Sequence, residues 1–186
     1  MSGRWTVRVG VLVTAAVVSI SCSQQTPIVL PSGAPTAPVT AAPVTSAPPP
    51  PSNFGGTAPG SLISAEPIED IAADISELGA TATRVVYRST SGVTGEPTDV
   101  SGTVIIPGGT APDGGWPVVS YGHGTTGVLE ACGPSSYANL LGSAPIVAAL
   151  ALNGFAVAMT DYQGLGLSGS YHPYLDSKTF GYNMID

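Results

Sequence analysis

PVVSYGHGTTG, Pro117–Gly127, is a short apolar run followed by a histidine set among glycines and threonines. The run Val118–Tyr121 has the character of a strand buried on both faces. Gly124, Thr125 and Thr126 then present three consecutive backbone N–H groups where that strand ends. Ligands of α/β sheets bind outside the carboxyl ends of strands, so a loop of amides there is a candidate binding loop. The next patterned stretch is SAPIVAALALNGFAVAMTDYQGLG, Ser143–Gly166. Ser143 is placed to cap a helix, Pro145 suits its first turn, and Asn153-Gly154 ends it. Phe155–Thr160 is the following strand. Strand, helix and strand make a βαβ unit, with parallel strands and a right-handed crossover.

Working upstream, TATRVVYRST (Thr81–Thr90) and DVSGTVIIP (Asp99–Pro107) are β-branched and loosely alternating. The link SGVTGEP between them predicts an antiparallel pair. EPIEDIAADISELGA (Glu66–Ala80) has no strand signal and is expected to be helical. The fold class is α/β.

The 186 residues carry a net charge of −7 with only five Lys+Arg. That balance excludes a nucleic-acid partner, because nothing here could displace counterions from phosphates. Two histidines with no cysteine or carboxylate at ligand spacing predict no metal site, and no cofactor motif is present.

The amino terminus has a targeting pattern. Arg4 and Arg8 precede the apolar Val9–Ile20, and small residues follow, so residues 1–21 are expected to be a signal peptide. The stretch is short for a transmembrane span. Ser21-Cys22 also matches the cleavage point of bacterial lipoproteins, although Ser19 stands where an aliphatic residue is usual. Cys22 is therefore a candidate lipidation residue and membrane anchor, with plain secretion as the alternative. Half of the 18 prolines fall between Pro27 and Pro51. Residues 22–60 are expected to form a disordered Pro-rich stalk, and residues 61–186 the folded part. Loss or lipidation of Cys22 would leave Cys132 an odd cysteine in an exported chain. It reads either as a small buried residue or as half of a disulfide with a partner outside the chain.

GWPVVSYGHGTTGVLEACGPSS together with LALNGFAVAMTDYQGLGLSGSYHPYL resembles the actinobacterial secretory lipases, a branch of the α/β-hydrolases related to fungal lipase A. ATRVVYRSTSGVTGEPTDVSGTVIIPGG resembles the stretch that precedes them. The resemblance covers roughly residues 79–186. It implies the N-terminal strands of the mostly parallel α/β-hydrolase sheet, and an exported enzyme that hydrolyses lipid or other carboxylic esters. It further implies that Gly124 and Thr125 belong to the oxyanion hole, and that Asp161 and Tyr162 close the next strand near the active-site face.

The nucleophile, acid and histidine of this family follow the block that ends at GYNMID, so no catalytic residue is carried over, and the fold is expected to be incomplete. Gly166–Ser170 comes nearest to the G-x-S-x-G elbow, but Ser170 replaces the last glycine. Ser168 also lacks a strand directly before it and a helix directly after. His123 is expected to pack the loop, His172 to lie at the surface or an interface, and Asp161 to be a strand-end hydrogen-bonding residue. In the usual strand order, 1-2-4-3-5, the PVVSY strand would be left at an edge, so residues 61–186 are expected to be marginally stable or insoluble alone. The function expected is that of a lipase or carboxylesterase portion, inactive by itself. The rival is a non-enzymatic surface lipoprotein with a degenerate hydrolase-like binding module.

Overall fold

The computed structural model describes residues 54–186. The signal peptide, most of the stalk and Cys22 fall outside them. Five strands form one mixed sheet: β1 (Leu62–Pro67), β2 (Thr81–Thr90), β3 (Pro97–Ile106), β4 (Val118–Gly122) and β5 (Ala156–Thr160), in the order β1-β2-β3-β5-β4. The pairs β1–β2, β2–β3 and β3–β5 are antiparallel, and β4–β5 is parallel. The expected antiparallel pair is thus present, in register from Thr81↔Ile106 to Thr90↔Pro97. The expected βαβ unit is present too, with helix α2 (Ala144–Leu152) between β4 and β5.

Glu66–Ala80 departs from expectation. Glu66 and Pro67 end β1, and the only helix there is the single turn α1 (Ala73–Ser76). Leu62–Pro67 is an extra strand on β2, held by tertiary pairing that its own weak pattern does not announce. Ser143 sits at the α2 N-cap position, but its backbone is already helical and its side chain makes no cap bond. Gly154 ends α2 with φ +81°, a conformation that glycine adopts without steric cost.

One face of the sheet carries the main core. Ile75 of α1, Val147 and Ala151 of α2, Leu140, and Ile105, Val157 and Met159 of the sheet pack together there. The other face holds Val85, Tyr87 and Val100 and is met by helix α3 (Ser177–Ile185), which the sequence reading did not predict. Its signal is the Asp176 N-cap, which accepts from the Thr179 amide at 2.9 Å. Polar clips seat α3 on the sheet. Asn183 donates to Ser89 Oγ at 2.8 Å, and Ser120 Oγ donates to the Met184 carbonyl at 2.6 Å.

The strand β4 is not buried on both faces as its composition suggested. Val118 is 69% exposed, because β4 is an edge of the sheet and α3 reaches only part of it. An exposed apolar edge is a template for strand pairing between copies. We expect concentration-dependent self-association in sedimentation velocity, and expect Val118→Lys to reduce it. Equal association of the two proteins would show that another surface is responsible.

Candidate functional site

The parallel register Gly122↔Thr160 brings the ends of β4 and β5 side by side. His123–Gly127 leaves one strand and Asp161–Gly166 leaves the other, so the two sequence blocks become neighbouring loops at the carboxyl edge of the sheet. His123 ties them together. Its Nδ1 lies 2.6 Å from the Gly124 carbonyl oxygen and its Nε2 lies 3.3 Å from that of Asp161. Both partners can only accept. The ring is buried and lies 4.8 Å from the Tyr162 ring. His123 therefore packs the loop, as expected.

Gly124 and Thr125 are exposed, and Thr126 is buried with its hydroxyl donating to the Cys132 carbonyl at 2.7 Å. Among the described residues, the amides of Gly124, Thr125, Thr126 and Gly127 donate to no protein acceptor. Gly124 and Thr125, in the exposed part of the loop, thus leave their amides open to a ligand. Gly124–Gly127 line a cleft of about 90 Å³ together with Tyr162, His172, Tyr174, Leu175 and Phe180. A larger apolar hollow of about 140 Å³ lies between the sheet and α3, lined by Leu62, Val85, Val104 and Met184. It contains none of the loop residues.

Asp161 is fully buried and accepts three hydrogen bonds: from Ser101 Oγ at 2.6 Å, from Ser135 Oγ at 2.5 Å and from the Ser135 amide at 2.9 Å. Arg84 extends the network, donating to Ser135 Oγ at 3.1 Å and to the Gly166 carbonyl at 2.8 Å. Burial raises the Asp161 pKa, while these hydrogen bonds and His123 oppose the rise. The carboxylate is spent on Ser101 of β3 and on the Ser135 turn, which fits the expected strand-end role. Tyr162 follows at φ +69°, and Gly164 and Gly166 at +79° and +72°. A tyrosine held in this left-handed region marks a loop that surrounding structure over-determines.

His172 lines the cleft rather than an open surface. Its Nδ1 donates to the Gln163 carbonyl at 2.9 Å, and its ring stacks on Phe180 at 5.4 Å. Desolvation is the main cause of a lowered His172 pKa, assisted by His123 and opposed by the Gln163 bond. A folded-state value below the ordinary one of about 6.5 means that the unfolded chain takes up the proton first. The contribution of this histidine is complete above the unfolded value and is lost as pH falls through the folded one. We expect thermal stability to decline on acidification below about pH 6.5, with a shallower decline in His172→Gln. Parallel profiles would assign the decline to other groups.

Ser168 is exposed, eight residues past the end of β5 at Thr160, and α3 begins only at Ser177. It is not on a strand–turn–helix elbow. Cys132 is buried and is not a free thiol. Among the described residues, no cluster of three His, Cys, Asp or Glu could hold a metal, and no helix is long and apolar enough to cross a membrane. The cleft-lining aromatic residues Phe180, Tyr174 and His172 were not anticipated as a group. They are drawn together by the α3 contacts, and no local pattern announces them.

Comparisons with known proteins bear on the fold and its relatives. No family model matches the chain. Over 148 residues it is 30% identical to "Probable inactive lipase MT1628" of Mycobacterium tuberculosis, an alignment covering 74% of this chain and 31% of that protein. Among solved structures it is similar to the rice cell wall degrading esterase LipA of Xanthomonas oryzae, with a TM-score of 0.55 and 28% identity, over 69% of this chain and 36% of that one. It also superposes on Candida antarctica lipase A in its closed state, with a TM-score of 0.51 and 20% identity, over 73% and 32% of the two chains. The chain spans about a third of the length of these relatives. It is distantly homologous to a lipase and has an α/β-hydrolase fold.

Proposed function

We propose that this chain is the oxyanion-loop portion of an exported carboxylic-ester hydrolase related to the actinobacterial secretory lipases. The observation that carries the proposal is the loop at the end of β4, whose residues Gly124–Gly127 have amides without a protein acceptor and line a cleft at the carboxyl edge of a parallel strand pair. Such donors stabilise the charge that develops on the carbonyl oxygen of an ester as a nucleophile attacks. Gly124 and Thr125 are assigned that role. The homology to a lipase and the esterase-like fold support the reaction class.

Among the described residues there is no nucleophile elbow, so we place the nucleophile, acid and base outside them. No metal or cofactor enters this scheme, and the substrate is an ester or lipid. Export rests on Arg4, Arg8 and the apolar Val9–Ile20. Intact mass and peptide mapping of the native polypeptide test the scheme. Sequence continuing past Asp186 with an elbow serine is the expected result. In that longer protein, Thr125→Pro, which deletes one amide donor, is expected to lower kcat about 100-fold or more. An unchanged kcat would remove Thr125 from the oxyanion hole.

One observation favours a second reading: the relative in Mycobacterium tuberculosis is itself named an inactive lipase. Under it, this chain is a non-enzymatic surface lipoprotein whose hydrolase-like domain binds rather than cleaves. A native polypeptide ending at Asp186, without ester hydrolysis above background, would select it.

A further inference from the structure

We propose that His123 is a positioning residue: by holding the carbonyl of the Gly124–Thr125 peptide, its imidazole sets the direction in which the Thr125 amide is presented. The inference rests on the oxyanion reading and adds to it the side chain that aims the donor. A trans peptide unit is planar, so its C=O and N–H point in opposite directions. The Gly124 carbonyl oxygen lies 2.6 Å from His123 Nδ1, on a buried ring. The Thr125 N–H is the other end of the same peptide and is thereby turned away from the ring. It meets no acceptor among the described residues, and Thr125 is exposed and lines the cleft. Flipping this peptide would exchange the two groups and offer a ligand a carbonyl oxygen in place of a donor. Glycine at 124 gives the backbone the freedom to make that flip, so the grip on its carbonyl decides which group faces out.

The imidazole is itself anchored. Its Nε2 lies 3.3 Å from the Asp161 carbonyl oxygen, and the Tyr162 ring packs on it at 4.8 Å and 43°. Asp161 is fixed in turn, its amide donating to the Ser101 carbonyl at 2.8 Å and its carboxylate accepting from Ser101 and Ser135. His123 thus stands between a tied strand end and a glycine that would otherwise swivel. The two ring contacts can be separated by substitution. Asparagine carries an amide nitrogen as many bonds from Cβ as Nδ1, and so can reach the Gly124 carbonyl. Glutamine carries one a bond further out, towards the Nε2 position.

The test is an amide NMR titration of the full ¹⁵N-labelled chain with acetate at neutral pH, in the parent and in His123→Phe, His123→Asn and His123→Gln. In the parent, acetate is expected to shift the Gly124 and Thr125 amides. His123→Phe keeps a ring but has no N–H. It is expected to bind acetate about tenfold more weakly, the value of one hydrogen bond to a charged group. His123→Asn is expected to restore most of that affinity, and His123→Gln is not. An unchanged affinity in His123→Phe, or no advantage of asparagine over glutamine, would overturn the positioning role and leave the oxyanion loop standing. Should the variants not fold, a scalar coupling across the hydrogen bond, from the ring ¹⁵Nδ1 to the Gly124 carbonyl ¹³C in the parent chain, decides the point. Its presence supports the grip and its absence overturns it. If acetate moved neither amide in the parent, the oxyanion reading would fall, and this one with it.

Discussion

Replacing Asp161 by alanine is expected to cost about 3 kcal/mol of folding stability, read as a lower urea midpoint at unchanged slope. The carboxylate accepts from Ser101 Oγ, Ser135 Oγ and the Ser135 amide. Alanine leaves all three donors in a site where Asp161 and Ser101 are wholly buried. The Ser101 hydroxyl has a fallback, since it already approaches the Leu165 carbonyl at 3.3 Å. The Ser135 amide has none among the described residues. Each orphaned buried donor costs roughly 1–3 kcal/mol, so two of them set the scale. Asparagine keeps one carbonyl oxygen for the Ser135 amide, and the hydroxyls can turn to accept, so Asp161→Asn is expected to lose less than half as much. A loss below about 1 kcal/mol in the alanine variant would mean that the network is not a structural tie.

The same variant pair carries a pH signature. Burial raises the Asp161 pKa in the folded state. A raised carboxyl value favours folding below the unfolded pKa, and that contribution is lost as pH rises through the folded one. The advantage of the parent over Asp161→Asn should therefore shrink as pH rises from about 4 towards neutrality. An advantage that grows with pH would show that the hydrogen bonds outweigh burial.

Gly166→Ala is expected to be comparably damaging, for a different reason. Gly166 has φ +72°, where a side chain costs about 1 kcal/mol. An added Cβ would also run into Ser101 Oγ and Asp161 Oδ2. Overpacking of this kind costs roughly 1–3 kcal/mol. The loop cannot step aside cheaply. The Gly166 amide donates to the Glu130 carbonyl at 2.8 Å, and Arg84 Nη2 donates to the Gly166 carbonyl at 2.8 Å. The total is about 3 kcal/mol, measured by denaturant or thermal melting. Because the clash is with Asp161 itself, the double variant with Asp161→Ala should lose less than the sum of the two. Strict additivity would separate Gly166 from the carboxylate and contradict the geometry.

The sequence by itself determined the local elements and their order. Thr81–Thr90 and Asp99–Pro107 alternate and are β-branched, so they read as strands without tertiary help. Ala144–Leu152 ends at Asn153-Gly154, so its helix is written in its own residues. The amide loop at Gly124–Thr126 followed from a strand running into glycine and threonine, and its lipase-like neighbourhood from HGTTG and DYQGLG. Tertiary structure decided the rest. Leu62–Pro67 is a strand because β2 offers it a partner, and Val118 is exposed because β4 lies at an edge. Asp161 became the hub of a network because Ser101 and Ser135, 60 and 26 residues away in the chain, fold against it. The aromatic cluster exists because α3 docks on the sheet and brings Phe180 against Tyr162 and His172. Periodicity and turn chemistry act over a few residues and can be read from a string. Burial, edge position and ring stacking depend on which distant segments meet, and no local pattern encodes that meeting.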